Sequence, residues 1–99
     1  MTLGELVLKV RSKNAGPFWV TIDVFCDRAE VFQRLSQGLT TERVAVLFHV
    51  EPDQLKRFDL ADLRVIKFSL PRPVVQGSAA DRDMHGAQYA ALLEELAID

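Results

Sequence analysis

The chain has little of what marks a secreted, membrane-spanning or broadly nucleic-acid-binding protein. It holds a single cysteine, Cys26, in 99 residues. A lone cysteine forms no internal disulfide, which fits a reducing cytoplasm. No apolar run approaches the roughly 20 residues that span a bilayer. Met1-Thr2-Leu3-Gly4-Glu5 has neither the basic start nor the apolar stretch of a signal peptide. A cytoplasmic protein with no membrane partner is the expectation. Positive charge is not in surplus either. Twelve Lys+Arg stand against 14 Asp+Glu, a net charge of −2. The pI near 5.6 offers no broad field to attract phosphates, so no nucleic-acid partner is expected. Proline and glycine are few and confined to a handful of places, where they punctuate the chain. Internal repeats, low-complexity tracts and linkers are missing.

What remains is the composition of a folded domain. Hydrophobic residues make up 48% and charged residues 26%, close to an average soluble protein and unlike a disordered one. The length predicts one domain over residues 1–99. A domain this small buries only about 60–65% of its unfolded surface, so its stability margin is thin. An oligomer or a permanent partner is expected on that ground.

Periodicity supplies the elements. Leu6, Leu8 and Val10 alternate with Val7, Lys9 and Arg11, which predicts a first strand over Glu5–Arg11. The turn formers 12–17 follow. A second strand is predicted over Phe18–Cys26, with Phe18, Val20, Ile22, Val24 and Cys26 on one face and Trp19, Thr21, Asp23 and Phe25 on the other. The two read as a hairpin. Asp27 with Glu30 three residues on resembles a capping box, which starts a helix carrying Val31, Phe32 and Leu35 and stopping at Gly38. Thr40 or Thr41 caps a second helix lined by Val44, Leu47 and Phe48. A short third strand includes Lys56–Phe58. A fourth carries Ile66, Phe68 and Leu70 and stops at Pro71-Arg72-Pro73. Residues 74–83 read as loop and Gly86–Leu96 as a last helix. The order ββ-αα-ββ-α predicts an α+β two-layer sandwich, with a mainly antiparallel four-stranded sheet and helices on one face. A ferredoxin-like sandwich is the first choice, although the order is not a clean βαββαβ.

The densest chemistry lies in Arg11-Ser12-Lys13-Asn14-Ala15-Gly16-Pro17-Phe18. Gly16 lets a ligand approach the backbone and Pro17 stiffens the exit. Arg11 as a bidentate fork and Lys13 as a point charge suit a carboxylate or phosphate. A solvated hairpin turn is the plainer reading. The loop is not a nucleotide P-loop, since the glycine and Lys-Ser/Thr spacing is missing, and no cofactor is expected. A second polar stretch follows the fourth strand: Arg72 between two prolines, then Ser78, Asp81, Asp83, His85 and Gln88. Long polar loops in compact domains are more often functional than filler. Both loops are expected at the same end of the sheet, where Arg72, Ser78 and Gln88 would join Arg11, Ser12, Lys13, Asn14 and Gly16 around one anion.

Asp81, Asp83 and His85 form D-x-D-x-H, and in an extended segment alternate residues point the same way, toward a divalent metal. The competing reading has Asp81 or Asp83 capping the last helix; no metal is the main expectation. His85, with Asp83, is the candidate for acid–base work near neutral pH. His49 reads as structural, at a helix end. Cys26 lies on the buried pattern, away from any base that would make it a nucleophile. Trp19 and Phe25 either fill a second core layer or form an apolar patch for a partner.

The hairpin motif at 11–18, followed by Thr21-Ile22-Asp23-Val24-Phe25, resembles a family of small bacterial proteins of unknown function. Ile66 through Arg72-Pro73, Gly77, Asp83 and Gly86-Ala87-Gln88 resemble that family's second signature. The resemblance implies association with a larger protein similar to acyclic-terpene-utilisation protein A, whose own C-terminal domain is described as ferredoxin-like. It supplies no reaction. Two functions follow as expectations. In the first, the chain is a small subunit that completes an anionic-substrate site, for a carboxylate or acyl-CoA, in a hydratase or lyase. In the second, it is a non-catalytic assembly protein. Catalysis by this chain alone ranks third, because no complete acid–base–nucleophile set is visible.

Overall fold

Local capping starts the fold earlier than strand periodicity predicts. The Thr2 hydroxyl accepts from the Glu5 N–H, and the Glu5 carboxylate accepts from the Thr2 N–H at 2.9 Å. This reciprocal box turns Leu3–Leu6 into a short helix, α1. The first strand, β1, is therefore Lys9–Asn14 rather than Glu5–Arg11. Leu3 is buried and Leu8 exposed, which the expected alternation does not accommodate. The structure, a computed structural model, describes residues 1–72 and 88–98.

A four-residue turn, 15–18, joins β1 to β2 (Trp19–Phe25). Gly16 sits at φ +75°, a left-handed conformation in which a side chain would be strained. Next comes α2 (Ala29–Gly38), but the expected Asp27 cap does not form. Asp27 itself adopts φ 67°, because the chain must swing out of the sheet there, and Arg28 becomes the N-cap without a side-chain bond. Thr40 does cap α3 (Thr41–Phe48), accepting from the Arg43 N–H at 3.2 Å. His49 closes α3 at φ 57°, the structural position expected of it. A 3-10 turn over Pro52–Gln54 leads into β3 (Lys56–Leu60), then β4 (Val65–Pro71). Last comes α4 (Gln88–Glu94).

The sheet order is β1-β2-β4-β3 and every neighbouring pair is antiparallel. Strands β2 and β3 thus run parallel with β4 between them, and α2 and α3 make the crossover. That is one split β-α-β unit. After β4 the chain reaches α4, which packs on β1. A βαββαβ chain read cyclically from its last strand gives ββαββα. The observed order has that form, with a helix pair in place of the first helix, and is compatible with a ferredoxin-like sandwich. The α+β class and the four-stranded antiparallel sheet stand as predicted.

Alternation makes one sheet face apolar. Val10, Val20, Ile22, Val24, Ile66, Phe68 and Leu70 are buried there against Leu3, Val31, Leu35, Val44, Phe48 and Leu93 of the helices. Cys26 joins this core at 1% exposure. The other face is covered by no described element.

Candidate functional site

The period-2 pleat sends successive residues of β1 to opposite faces. Ser12 and Asn14 turn toward the helices, while Arg11 and Lys13 turn outward. The Ser12 hydroxyl accepts from the Ala90 N–H in the first turn of α4, at 2.8 Å. The Asn14 amide oxygen accepts from the Arg72 guanidinium. Arg72 also donates its backbone N–H to Phe18 O at 2.8 Å and sits over the Tyr89 ring. The structure thus joins Ser12, Asn14 and Arg72 to the start of α4, where Gln88 lies. The hairpin loop and the chain after β4 do leave from the same end of the sheet: Asn14 pairs with Val20, and Val20 with Leu70. Arg11 is not at that end. It lies mid-strand, paired with Asp23. Ser78, Asp81, Asp83 and His85 lie outside the described residues.

On the outward face, Arg11, Lys13, Asp23 and Phe25, with Ser12 between the two cations along β1, line a concavity of about 160 Å³. Cross-strand register extends this face into three rows. Lys13, Thr21, Ser69 and Lys56 form one. Arg11, Asp23, Lys67 and Phe58 form the next, and Lys9, Phe25, Val65 and Leu60 the third. Trp19 extends the face at one end, opposite Pro71. No described element packs over Trp19 and Phe25. The Lys9 ammonium lies 4.9 Å from the Phe25 ring centre, and Lys56 lies 5.5 Å from that of Trp19.

Charge on this face contrasts with the chain as a whole. Lys9, Arg11, Lys13, Lys56 and Lys67 point outward from the strands against one carboxylate, Asp23, which pairs with Lys67 at 3.6 Å. The acidic balance of the chain as a whole therefore belongs to the rest of the molecule. Sequence reading missed Lys56, Phe58, Leu60 and Lys67 as one surface with Arg11. Alternation within 56–60 and 65–71 carries the signal, but strand order is needed to place those residues beside β1.

Cys26, the chain's one thiol, is buried and held in its protonated form. Burial, with a smaller push from the negative charge of Asp59, raises its thiol to about 11. The ordinary value is about 8.5. The protonated form is the one the fold favours. Its stabilising contribution is complete below about pH 8.5, declines above that, and is lost as pH rises through about 11. We expect Ellman's reagent to leave Cys26 unmodified in the native protein at pH 8 and to modify it at once in denaturant. The urea midpoint should fall between pH 9 and 11, and in Cys26→Ala this alkaline fall should shrink. Rapid native labelling would show that the thiol is accessible and ionised.

Among the described residues, no group of three His, Cys, Asp or Glu side chains could hold a metal ion. No described helix is long and apolar enough to cross a membrane. The fold and the site together define a small α+β sandwich with a basic sheet face that no described element covers. The chain belongs to the family defined by the domain of unknown function DUF4387, whose profile matches residues 3–97. No curated protein and no solved structure matches it.

Proposed function

We propose that this chain is a small accessory subunit that completes an anionic-substrate site in a larger partner similar to acyclic-terpene-utilisation protein A. The anion is a carboxylate or an acyl-CoA, and the complex is a hydratase or lyase. The observation that carries this reading is the pairing of Arg11 and Lys13 on one face that no described element covers, around a concavity walled by Asp23 and Phe25. A guanidinium and an ammonium side by side hold an anion by charge-assisted hydrogen bonds. Asp23 orients by repelling a second negative group. Arg72 and Asn14 act from the other side of the sheet, fixing the hairpin that carries Arg11 and Lys13. The larger protein supplies the reacting groups.

The test is calorimetric titration with short acyl-CoA thioesters and dicarboxylates, with and without the larger protein. Arg11→Ala should weaken binding at least about tenfold, the value of one charge-assisted bond of about 1.5–3 kcal/mol. Arg28→Ala serves as the control, because Arg28 is exposed at the start of α2, with Glu30 at 3.5 Å. Equal affinity in wild type and Arg11→Ala for every ligand that binds would leave the second reading, a non-catalytic assembly protein.

A further inference from the structure

The sheet face that the described elements leave open has two unlike halves. The β1 half carries Lys9, Arg11 and Lys13. The β3–β4 half carries Phe58, 49% exposed, and Leu60, 36% exposed, with Lys56 and Lys67 among them. Trp19 closes this half at one end, with Lys56 over its ring. Exposed aromatic and aliphatic side chains rimmed by cations are the composition of a protein-binding surface.

A second observation sits between the halves. Thr21 Oγ1 and Asp23 Oδ1 are covered by their neighbours and have no hydrogen-bond partner. Thr21 Oγ1 is a covered polar atom left unpaired, which is costly to the free protein, while Asp23 Oδ1 has Lys67 at 3.6 Å as its ion-pair partner. Both atoms lie on the outward side of β2.

Charge selects among occupants. A two-fold dimer through this face would set five cations and one carboxylate against the same set, and like charges repel. A nucleic-acid strand would supply phosphates, but Lys9 and Lys56 lie over the Phe25 and Trp19 rings on which bases would stack, and Asp23 stands at the centre. An acidic rim fits the five cations, and an apolar centre fits the exposed Phe58 and Leu60. We infer that the β3–β4 half of the open sheet face, centred on Phe58 and Lys56, docks an apolar protein surface rimmed by carboxylates. This inference rests on the proposed larger partner and names the face it covers. Docking there leaves Arg11 and Lys13 at the seam, where a small anion is held between the two chains.

The experiment mixes the full chain with the larger protein similar to acyclic-terpene-utilisation protein A and measures the complex by light scattering and titration. Phe58→Asp and Lys56→Glu are made separately; both side chains are exposed, and circular dichroism verifies the fold. Each should weaken the complex at least tenfold, and the two together at least a hundredfold. Raising salt from 50 to 500 mM should weaken the wild-type complex and affect Lys56→Glu less. Val46→Glu, on the exposed side of α3, should change affinity less than threefold. A complex that tolerates both sheet-face changes, or yields to Val46→Glu instead, overturns this inference and leaves the proposed function standing. Absence of any complex with the unaltered chain overturns both. Self-association that Phe58→Asp abolishes, or binding of a 20-nucleotide oligothymidylate that Lys56→Glu abolishes, also overturns it, by showing another occupant on the same face.

Discussion

Phe68→Ala is expected to cost about 3–5 kcal/mol, the usual range for emptying a buried aromatic site. Phe68 is fully buried on β4, with Ile22 of β2 on one side and Arg57 of β3 on the other. The ring is also the surface on which the Arg57 guanidinium lies, 5.6 Å from its centre. The strand cannot collapse into the void, because β4 is hydrogen-bonded on both edges. A domain of this length has about 5–15 kcal/mol in total. The melting temperature should therefore fall by at least about 15 °C, with a measurable unfolded fraction at 37 °C. A fall of under 5 °C in scanning calorimetry would mean that the helical layer relaxes to fill the space. Phe68→Leu, which keeps most of the volume, should lie between the two.

Arg57 gives the second large effect, by a different mechanism. It points from β3 toward the helices, where its guanidinium donates to Leu39 O and, at 3.2 Å, to Ser36 O. These are carbonyls at the C-terminal end of α2, which the helix itself cannot satisfy. Asp59 accepts from the same group at 2.8 Å and holds it flat. The negative end of the α2 dipole adds to the attraction. Arg57→Leu keeps the stem and removes the fork. We expect a loss of about 2–3 kcal/mol by urea denaturation, with amides near the end of α2 exchanging faster in hydrogen exchange. Arg57→Lys should recover less than half, because one ammonium cannot reach two carbonyls and a carboxylate with a planar fork's geometry. An unchanged midpoint in Arg57→Leu would show that water replaces the guanidinium at no cost.

Features set by local interactions are legible in the sequence; those set by distant pairing are not. Strands β2 and β4 were legible because their alternation, Val20-Ile22-Val24 and Ile66-Phe68-Leu70, is unbroken and buried. The α3 cap was legible because Thr40 acts on the third residue beyond it. The first strand starts at Lys9 rather than Glu5 because the Thr2–Glu5 box, with Leu3 buried, overrides the Leu6-Leu8-Val10 alternation. Asp27 does not cap α2, because the sharp exit from β2 needs a left-handed residue there.

The candidate site divides along the same line. The sequence determined that the domain is α+β, that its cations cluster in a hairpin, and that its one cysteine belongs to the core. These follow from composition and from contacts between neighbours in the chain. Tertiary structure alone decided which cations act together. The pleat separates Arg11 from Ser12 within one hairpin, and the β1-β2-β4-β3 order carries Lys56, Phe58 and Lys67 onto the face that Arg11 shares. Net charge averages over the whole chain, so an acidic protein can hide a basic surface. The reason is geometric: side chains far apart in sequence become neighbours only when strands pair, and residues adjacent in sequence part when the strand is pleated.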